Sequence, residues 1–164
     1  MTATYEKIAT TTLGSAASSV NFNSISGSYT DIVIIASIKN TSLYLDTWIR
    51  FNSDTGSNYS NTVLAGNGSA AYSSRASNAT KINLTFSGYP DTGSHNVTII
   101  NVMNYANTTT NKTILSRSDT AAWGVDATVG LWRSTSAIST IDLLPSSSTF
   151  ASGSTFTLYG IKAE

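Results

Sequence analysis

Two Asp-Thr-Gly-Ser tetrapeptides are the first residues in this chain whose types could do chemistry. They occupy Asp54–Ser57 and Asp91–Ser94. Aspartic proteases use two Asp-Thr-Gly loops to bring two carboxylates together, so that one acts as acid and the other as base. In those enzymes buried apolar strand residues precede each loop, whereas here Asn52-Ser53 and Tyr89-Pro90 do. The two copies are also too close in sequence for the two lobes of a single-chain protease, so we interpret them as paired Asx turns.

The single histidine and one group of oxygen ligands are weaker candidates. His95 would have to act as the base of a Ser-His-Asp triad or as the one nitrogen ligand of a metal, but it lies between a turn and a strand, as surface histidines commonly do. Asn52, Asp54 and Asn58 have the short spacing of a calcium loop without the carboxylates that give tight binding. The chain contains no cysteine, which excludes disulfides and thiolate chemistry. We therefore predict a protein that is not an enzyme, with no catalytic residue, no metal site and no cofactor.

The charge content argues against binding through a broad electrostatic field. Nine acidic residues balance nine basic ones, and charged residues make up 11% of the chain, less than half the usual share of about 25%. Partnership with nucleic acid or an anionic membrane is therefore disfavoured. Zero formal net charge leaves little repulsion between copies, which favours a homo-oligomer. Neither a signal peptide nor a membrane span is predicted, so we expect synthesis in a cytoplasm.

Tyr29–Lys39 is the one stretch in which apolar residues follow one another without interruption. It contains Ile32, Val33, Ile34 and Ile35 in succession. Since a strand alternates its side chains between two faces, this run predicts a central strand that is covered on both.

Shorter alternating stretches surround the central strand. They predict strands at Tyr5–Leu13, around Val20 and Phe22, and at 43–51, Tyr59–Leu64, Lys81–Phe86, Asn96–Met103, Lys112–Arg117, Thr128–Trp132, Ile138–Leu144 and Thr155–Ile161. The Gly- and Ser-rich segment 65–77 is expected to be a loop. Apolar residues do not recur at helical spacing, so almost no helix is expected beyond a turn near Asp119–Trp123. The prediction is an all-β, antiparallel, jelly-roll-like β-sandwich of about ten short strands, with residues 1–164 forming a single domain.

Exposed aromatic and basic residues are the candidate contacts with a partner. In the strand at 43–51, alternation places Ile49 and Phe51 on one face and Trp48 and Arg50 on the other. A half-exposed strand that carries aromatic and charged groups together indicates an interface or glycan contact, although core packing is the ordinary fate of a tryptophan. The candidate contacts are Tyr44, Trp48, Arg50, Trp132 and Arg133.

Several separate phrases of this sequence resemble a widespread family of small virion proteins of tailed bacteriophages. They are TYEKIATTTLGSAASSVNFNSI, YTDIVIIASIK, IRFNSDTGSNYS, GNGSAAYSSRASNAT and VGLWRSTSAISTIDLLPSSSTFASGSTFTLYGIK. The most distinctive is the closing pattern F-x-x-G-S-x-x-x-L-Y-G-I-K. Between residues 84 and 126 the likeness is weaker.

The resemblance implies a β-rich structural protein of the virion, located on the capsid exterior, the tail or the fibres, with no catalytic residues. The leading expectation is a capsid decoration (cement) protein that contacts the major capsid protein or tail proteins and stabilises the shell. The alternative is a tail fibre or baseplate head domain that binds a host surface glycan.

Overall fold

The computed structural model describes residues 4–43, 46–85, 93–120 and 123–162. These residues form twelve strands and contain no helix. In chain order the strands are β1 (Tyr5–Thr12), β2 (Val20–Phe22), β3 (Asp31–Ile38), β4 (Thr47–Phe51), β5 (Tyr59–Gly66), β6 (Ala71–Ala79), β7 (Ile82–Asn83), β8 (Asn96–Met103), β9 (Lys112–Thr120), β10 (Gly124–Trp132), β11 (Ile141–Pro145) and β12 (Thr155–Ile161). Because this part of the chain holds no helix, it also holds no helix long and apolar enough to cross a membrane.

The strands form two sheets of unequal size. The large sheet has the order β1-β12-β3-β8-β9-β10-β5-β6, and the small sheet has the order β2-β11-β4-β7. Every strand pair is antiparallel. The chain crosses repeatedly between the sheets, since β2, β4, β7 and β11 alternate in sequence with strands of the large sheet. The predicted all-β antiparallel sandwich is confirmed, with twelve strands where about ten were expected.

The apolar core lies between the two sheets. From the small sheet it receives Val20, Phe22, Ile49, Phe51, Ile82, Ile141 and Leu143, and from the large sheet Ile32, Ile34, Ile100, Val102, Ile114, Trp132, Phe156 and Leu158, among others. Each sheet is apolar on one face in this region, and packing the two faces together removes both from water.

The strand at Asp31–Ile38 shows where the predicted two-sided cover fails. β3 is an internal strand, between β12 and β8, as expected. Ile32 and Ile34 are fully buried against the small sheet, and on the opposite face Val33 is also buried. Ile35, however, is 39% exposed. The prediction of cover on both faces is therefore wrong at Ile35, because the small sheet packs against only one side of the large one.

The edge strand β6 replaces the loop that was expected at 65–77. It pairs with β5 alone, and most of its side chains are exposed. Asn67 shapes the connecting turn, since its Oδ1 accepts hydrogen bonds from the amides of Ser69 and Ala70 at 3.0 and 2.8 Å. Ala, Ser and Asn at this edge bury no apolar face, so strand periodicity gave no signal there.

The turn predicted near Asp119–Trp123 is partly a strand. β9 continues to Thr120, and the amide of Trp123 donates to the carbonyl of Thr120 at 2.8 Å. Residues 121 and 122 lie outside the described part of the chain.

Candidate functional surfaces

Trp48 and Arg50 lie on the outer face of the small sheet. Along β4, Thr47, Ile49 and Phe51 are buried, whereas Trp48 and Arg50 are half-buried, as the alternation predicted. Lys81 Nζ lies 3.4 Å from the centroid of the Trp48 ring. A cation at this distance is attracted to the negative face of the indole. One face of the Trp48 ring is therefore already covered by a side chain of the same molecule.

The electrostatic surroundings of Lys81 follow from this position. Burial lowers the pKa of Lys81, and the nearby positive charge of Arg50 lowers it further, while Asp46 acts in the opposite direction. The indole of Trp48 and the carboxylate of Asp46 thus favour the charged form of Lys81, which partial burial disfavours.

The polar groups of this outer face bond to one another. Asn21 Nδ2 donates to Asp142 Oδ1 at 2.6 Å, and Asp142 stands opposite Arg50 in the β11–β4 register. Arg50 Nε donates to the carbonyl of Thr80 at 3.1 Å. The predicted contact residue Arg50 is thus also bonded within the fold. Tyr44, the predicted contact that precedes it in the chain, lies outside the described residues.

Trp132 is a core residue and not a surface contact. It is 2% exposed, stacks on Tyr59 at a centroid distance of 6.3 Å and packs at a tilt on Phe51 at 5.7 Å. Its Nε1 donates to Asp54 Oδ2 at 2.7 Å. The prediction that Trp132 contacts a partner or glycan is wrong, because alternation along β10 directs this side chain inward.

Arg133 binds the ends of three strands together. Its guanidinium donates to the carbonyls of Ser57 and Tyr59 at 2.8 and 3.3 Å, to Asn78 Oδ1 at 3.2 Å and to Ser60 Oγ. These acceptors belong to the segments around β5 and β6, while Arg133 itself follows β10. These hydrogen bonds use most of the guanidinium donors within the fold. Arg133 therefore links the segments around β5 and β6 to the end of β10.

The first Asp-Thr-Gly-Ser segment forms the expected Asx turn. Asp54 Oδ1 accepts the amide of Gly56 at 2.8 Å, and Oδ2 accepts Asn58 Nδ2 at 2.9 Å as well as Trp132 Nε1. The hydrogen bond from Trp132 is the main cause of the lowered pKa of Asp54. This carboxylate is therefore an ionised acceptor that closes a turn. Asp91 and Thr92 of the second segment lie outside the described residues.

The other sequence candidates for metal or triad chemistry are bonded within the fold. Asn52 Oδ1 accepts the amides of Ser139 and Thr140 at 2.9 and 3.1 Å, so it serves the backbone after β10. His95 is exposed, and its Nδ1 lies 3.0 Å from Ser37 Oγ. Within the ranges that the structure describes, no three His, Cys, Asp or Glu residues lie close enough to hold a metal ion together.

A surface that the sequence reasoning missed covers the outer face of the large sheet. Among the described residues, eleven large apolar side chains are exposed, and eight of them lie on this face. The eight are Tyr5, Ile35, Leu64, Val97, Met103, Leu115, Val125 and Val129. We call the part formed by the outward side chains of β3, β8, β9, β10 and β5 the apolar patch. Its most exposed members are Leu64 at 61% and Val125 at 60%.

The alternation of β10 is inverted relative to an ordinary surface strand. Its outward residues are Val125, Ala127, Val129 and Leu131, whereas the inward positions include Asp126 and Thr128, at 4% and 0% exposure. A strand with one solvated face normally turns its polar residues toward water. On β10, by contrast, all four outward residues are apolar. An apolar outer face of this kind is typical of a strand that packs against another apolar surface.

Two opposite charges lie in the part of the apolar patch that β8, β9, β10 and β5 form. Arg117 and Asp119 point outward from β9, and they are the only charged residues on the outer face of β8, β9, β10 and β5. Val97 and Val125 flank Asp119 on the neighbouring strands, and Ile99 and Ala127 flank Arg117 in the same way.

Two depressions indent the same outer face. One of about 450 Å³ is lined by Leu64, Arg117, Val125 and Ala127 among others, and one of about 540 Å³ lies between Arg75 and Arg133. The face therefore has relief that could receive projecting side chains.

The sequence contains a signal for this surface, but an ambiguous one. VDATVGLW at 125–132 alternates apolar and polar residues and so predicts a half-covered strand. The large aromatic Trp132 and the small aliphatic residues have opposite parity, and sequence alone does not tell which set faces the core.

No protein-family model matches this chain. No curated protein matches it either.

Proposed function

We propose that this chain is a non-enzymatic structural protein of a bacteriophage virion, and that it acts as a capsid decoration (cement) protein, stabilising the shell through protein–protein contacts. One observation carries the proposal: the large sheet turns a continuous apolar patch toward solvent, with Leu64, Val125 and Val129 each more than half exposed. Soluble monomers rarely leave apolar patches of more than a few hundred Å² uncovered, and larger ones mark interaction sites.

The charge content and the sequence phrases agree with this role. Nine charges of each sign over the whole chain supply little long-range attraction, so a contact has to rest on short-range apolar and hydrogen-bonding interactions. The resemblance to virion proteins described above supports the same assignment. The partners would be the major capsid protein or tail proteins, together with further copies of this chain.

Heating virions that lack this protein beside intact virions tests the proposal. Cementing predicts that the depleted particles release DNA at a lower temperature while adsorbing normally to host cells. Adding back purified protein should restore the release temperature, and this rescue should survive high salt because the contacts are short-ranged. Identical release temperatures for depleted and intact particles would contradict the cement role.

Two substitutions refine the add-back experiment. Val129→Lys places a charge in the patch at a 57% exposed position, and Leu43→Lys places one at a similarly exposed position, 48%, away from the sheet. We expect the Leu43→Lys protein to restore heat stability and the Val129→Lys protein to fail. Equal rescue by both variants would separate the patch from particle stability.

A second candidate function is that of a tail fibre or baseplate head that binds host glycan. The observation that favours it is the half-buried Trp48, with Lys81 over its ring, on the outer face of the small sheet. Aromatic rings next to polar side chains are common sugar-binding surfaces. Here Trp48→Ala should abolish adsorption of the virion to host cells and leave its heat stability unchanged. Normal adsorption of particles carrying this variant would count against glycan binding through Trp48.

A further inference from the structure

The apolar outer face of the large sheet indicates a binding partner, and its residues indicate what that partner is. We propose that a second copy of this chain covers the apolar patch, by face-to-face, two-fold pairing of the two large sheets. This inference rests on the proposed function, because it concerns the same contact surface and identifies the molecule that covers it. The pairing itself requires no other virion component.

The positions of the two charges on β9 are self-complementary. Arg117 and Asp119 are two residues apart on one strand and on one face. Both side chains are exposed, and among the described residues neither side chain has a hydrogen bond or ion pair. A partner that buries this face must therefore supply a negative group opposite Arg117 and a positive group opposite Asp119, because an unpaired buried charge is costly.

A second copy supplies both groups at once. If a two-fold axis runs between the sheets, nearly perpendicular to the strands and level with Ser118, β9 of one copy lies antiparallel over β9 of the other. Arg117 then faces Asp119 of the second copy, and Asp119 faces its Arg117. Such an isologous contact forms every pair twice. A partner with an unrelated surface would need the same two charges at the same spacing by coincidence.

The apolar neighbours match under the same operation. On β8 the axis places Val97 over Ile99 of the second copy, and on β10 it places Val125 over Ala127. Packed sheets lie about 10 Å apart with interdigitating side chains, and their strand directions differ by about 30°. The outward apolar residues Val125 and Ala127 of β10 then form one side of a second apolar layer.

The available area suits a stable dimer. With the axis level with Ser118, about five residues of each strand overlap the second copy, so eight strands at a spacing of about 4.8 Å and roughly 3.4 Å per residue give a shared face of roughly 650 Å² per copy. Pairing two such faces would bury about 1,300 Å² in total, at the lower end of the range of about 1,200–2,000 Å² that is usual for specific interfaces. The dimer would present the outer face of the small sheet, with Trp48, on each of its two ends, so that it could bridge two neighbouring sites on a particle.

Sedimentation of the full chain tests the pairing. The unmodified protein should sediment as a dimer at about 100 µM and dissociate on dilution. Val125→Lys, at a 60% exposed position that lies over Ala127 of the second copy, should yield a folded monomer over the same range, whereas Leu43→Lys, the exposed control away from the sheet, should dimerise normally. A wild-type protein that stays monomeric at about 100 µM, or a Val125→Lys protein that dimerises like wild type, would overturn the proposal.

Charge reversal tests the two-fold geometry itself. Arg117→Asp places four carboxylates and no cation in the centre of the interface, and Asp119→Arg places four guanidinium groups there. Each single reversal should raise the dimer Kd by about tenfold or more, and the double reversal, which restores both ion pairs, should return it to within about threefold of wild type. A double variant as weak as the single ones would exclude the Arg117–Asp119 contact. Because Arg117 and Asp119 are both exposed, this set remains informative even if Val125→Lys impairs folding.

The failure of this proposal differs from that of the proposed function. A monomer that still raises the temperature at which virions release DNA would overturn the pairing and leave the cement role intact. A dimer whose removal changes neither heat stability nor adsorption would support the pairing and contradict the role in the virion.

Discussion

The two outer faces of the sandwich differ in the side chains that they expose to solvent. On the small sheet, Asn21 bonds to Asp142, Arg50 bonds to a backbone carbonyl and Lys81 covers the ring of Trp48. On the large sheet, aliphatic side chains meet the solvent and the two central charges have no partner within the described chain. These polar groups of the first face thus bond within the fold, whereas the second face exposes aliphatic side chains and two charged side chains that bond to no described residue.

Trp48 and Arg50, two of the residues that the sequence favoured as contacts, lie on the small sheet, whereas most of the exposed large apolar residues lie on the large sheet. Trp48 and Arg50 attracted interest because they mix aromatic and charged character, yet their surroundings satisfy much of that character internally. Valine and leucine on β10 and β5 attracted none, because single exposed aliphatic residues are common. Their contiguity, and not their type, marks the surface.

The largest expected effect separates the two faces of one strand. Ile34 is fully buried and its neighbour Ile35 is 39% exposed on the patch. Ile34→Asp should abolish folding, because an unpaired buried carboxylate costs several kcal/mol against a total stability of about 5–15 kcal/mol. Ile35→Asp should give soluble protein with cooperative thermal unfolding. Circular dichroism and melting of both variants check this, and cooperative melting of the Ile34→Asp protein would show that β3 is not central.

The core that the two sheets share should make the free energy of unfolding depend on pH in the alkaline range. Burial raises the pKa of Tyr59 to about 12, whereas an unfolded tyrosine titrates near pH 10. Below about pH 10 both states keep the proton and this contribution to stability is fully present. As the pH rises from about 10 toward 12 only the unfolded state loses the proton, so the free energy of unfolding should fall by about 2 kcal/mol.

Urea unfolding at about pH 9 and about pH 11.5 measures this fall. Tyr59→Phe should remove about 2 kcal/mol of the difference between the two pH values, and the exposed Tyr5→Phe should retain it. Equal pH dependence in all three proteins would contradict the raised pKa. The control matters because burial also raises the pKa of Tyr105, whose contribution is common to all three.

A smaller effect distinguishes the carboxylates of the two outer faces. Asp142 is 9% exposed and accepts a hydrogen bond from Asn21 at 2.6 Å. Removing one partner of such a bond costs about 1–3 kcal/mol, so Asp142→Ala should destabilise the fold by about that amount. Asp119→Ala, on the patch, should cost less than about 0.5 kcal/mol in dilute protein. Urea titration compares the two, and similar losses would mean that both faces contribute alike to folding.

The smallest effect concerns the cation over Trp48. Lys81→Ala removes the ammonium that lies 3.4 Å from the ring centroid, and at a partly exposed site this should cost about 0.5–1 kcal/mol. Lys81→Met, which keeps the length of the side chain over the ring without its charge, should recover part of the loss. Fluorescence of the tryptophans in urea gives the unfolding curves, and an unchanged midpoint for both variants would show that the contact carries no stability.

Much of the fold could be read from local pattern. The runs at Tyr5–Thr12, Asn96–Met103 and Thr155–Ile161 combine β-branched residues with turn signals, and they form strands close to where they were expected. The turn at Asp54 was predictable for the same reason, since an Asx side chain caps its own neighbours. β6 was not predictable, because its polar residues become a strand only when β5 offers an unpaired edge.

The sequence by itself determined the class of the protein: short β-branched strands, turns between them and too few charges to act through a field. Only the tertiary structure decided which parity of β10 faces the core. Trp132 turns inward because Tyr59 and Phe51 receive its ring and Asp54 accepts its N–H, and Val125 and Val129 then have to point outward. A strand's period of two specifies two faces but does not label them. The side chains that the other strands supply decide which face is buried, and on β10 they leave Val125 and Val129 exposed to solvent.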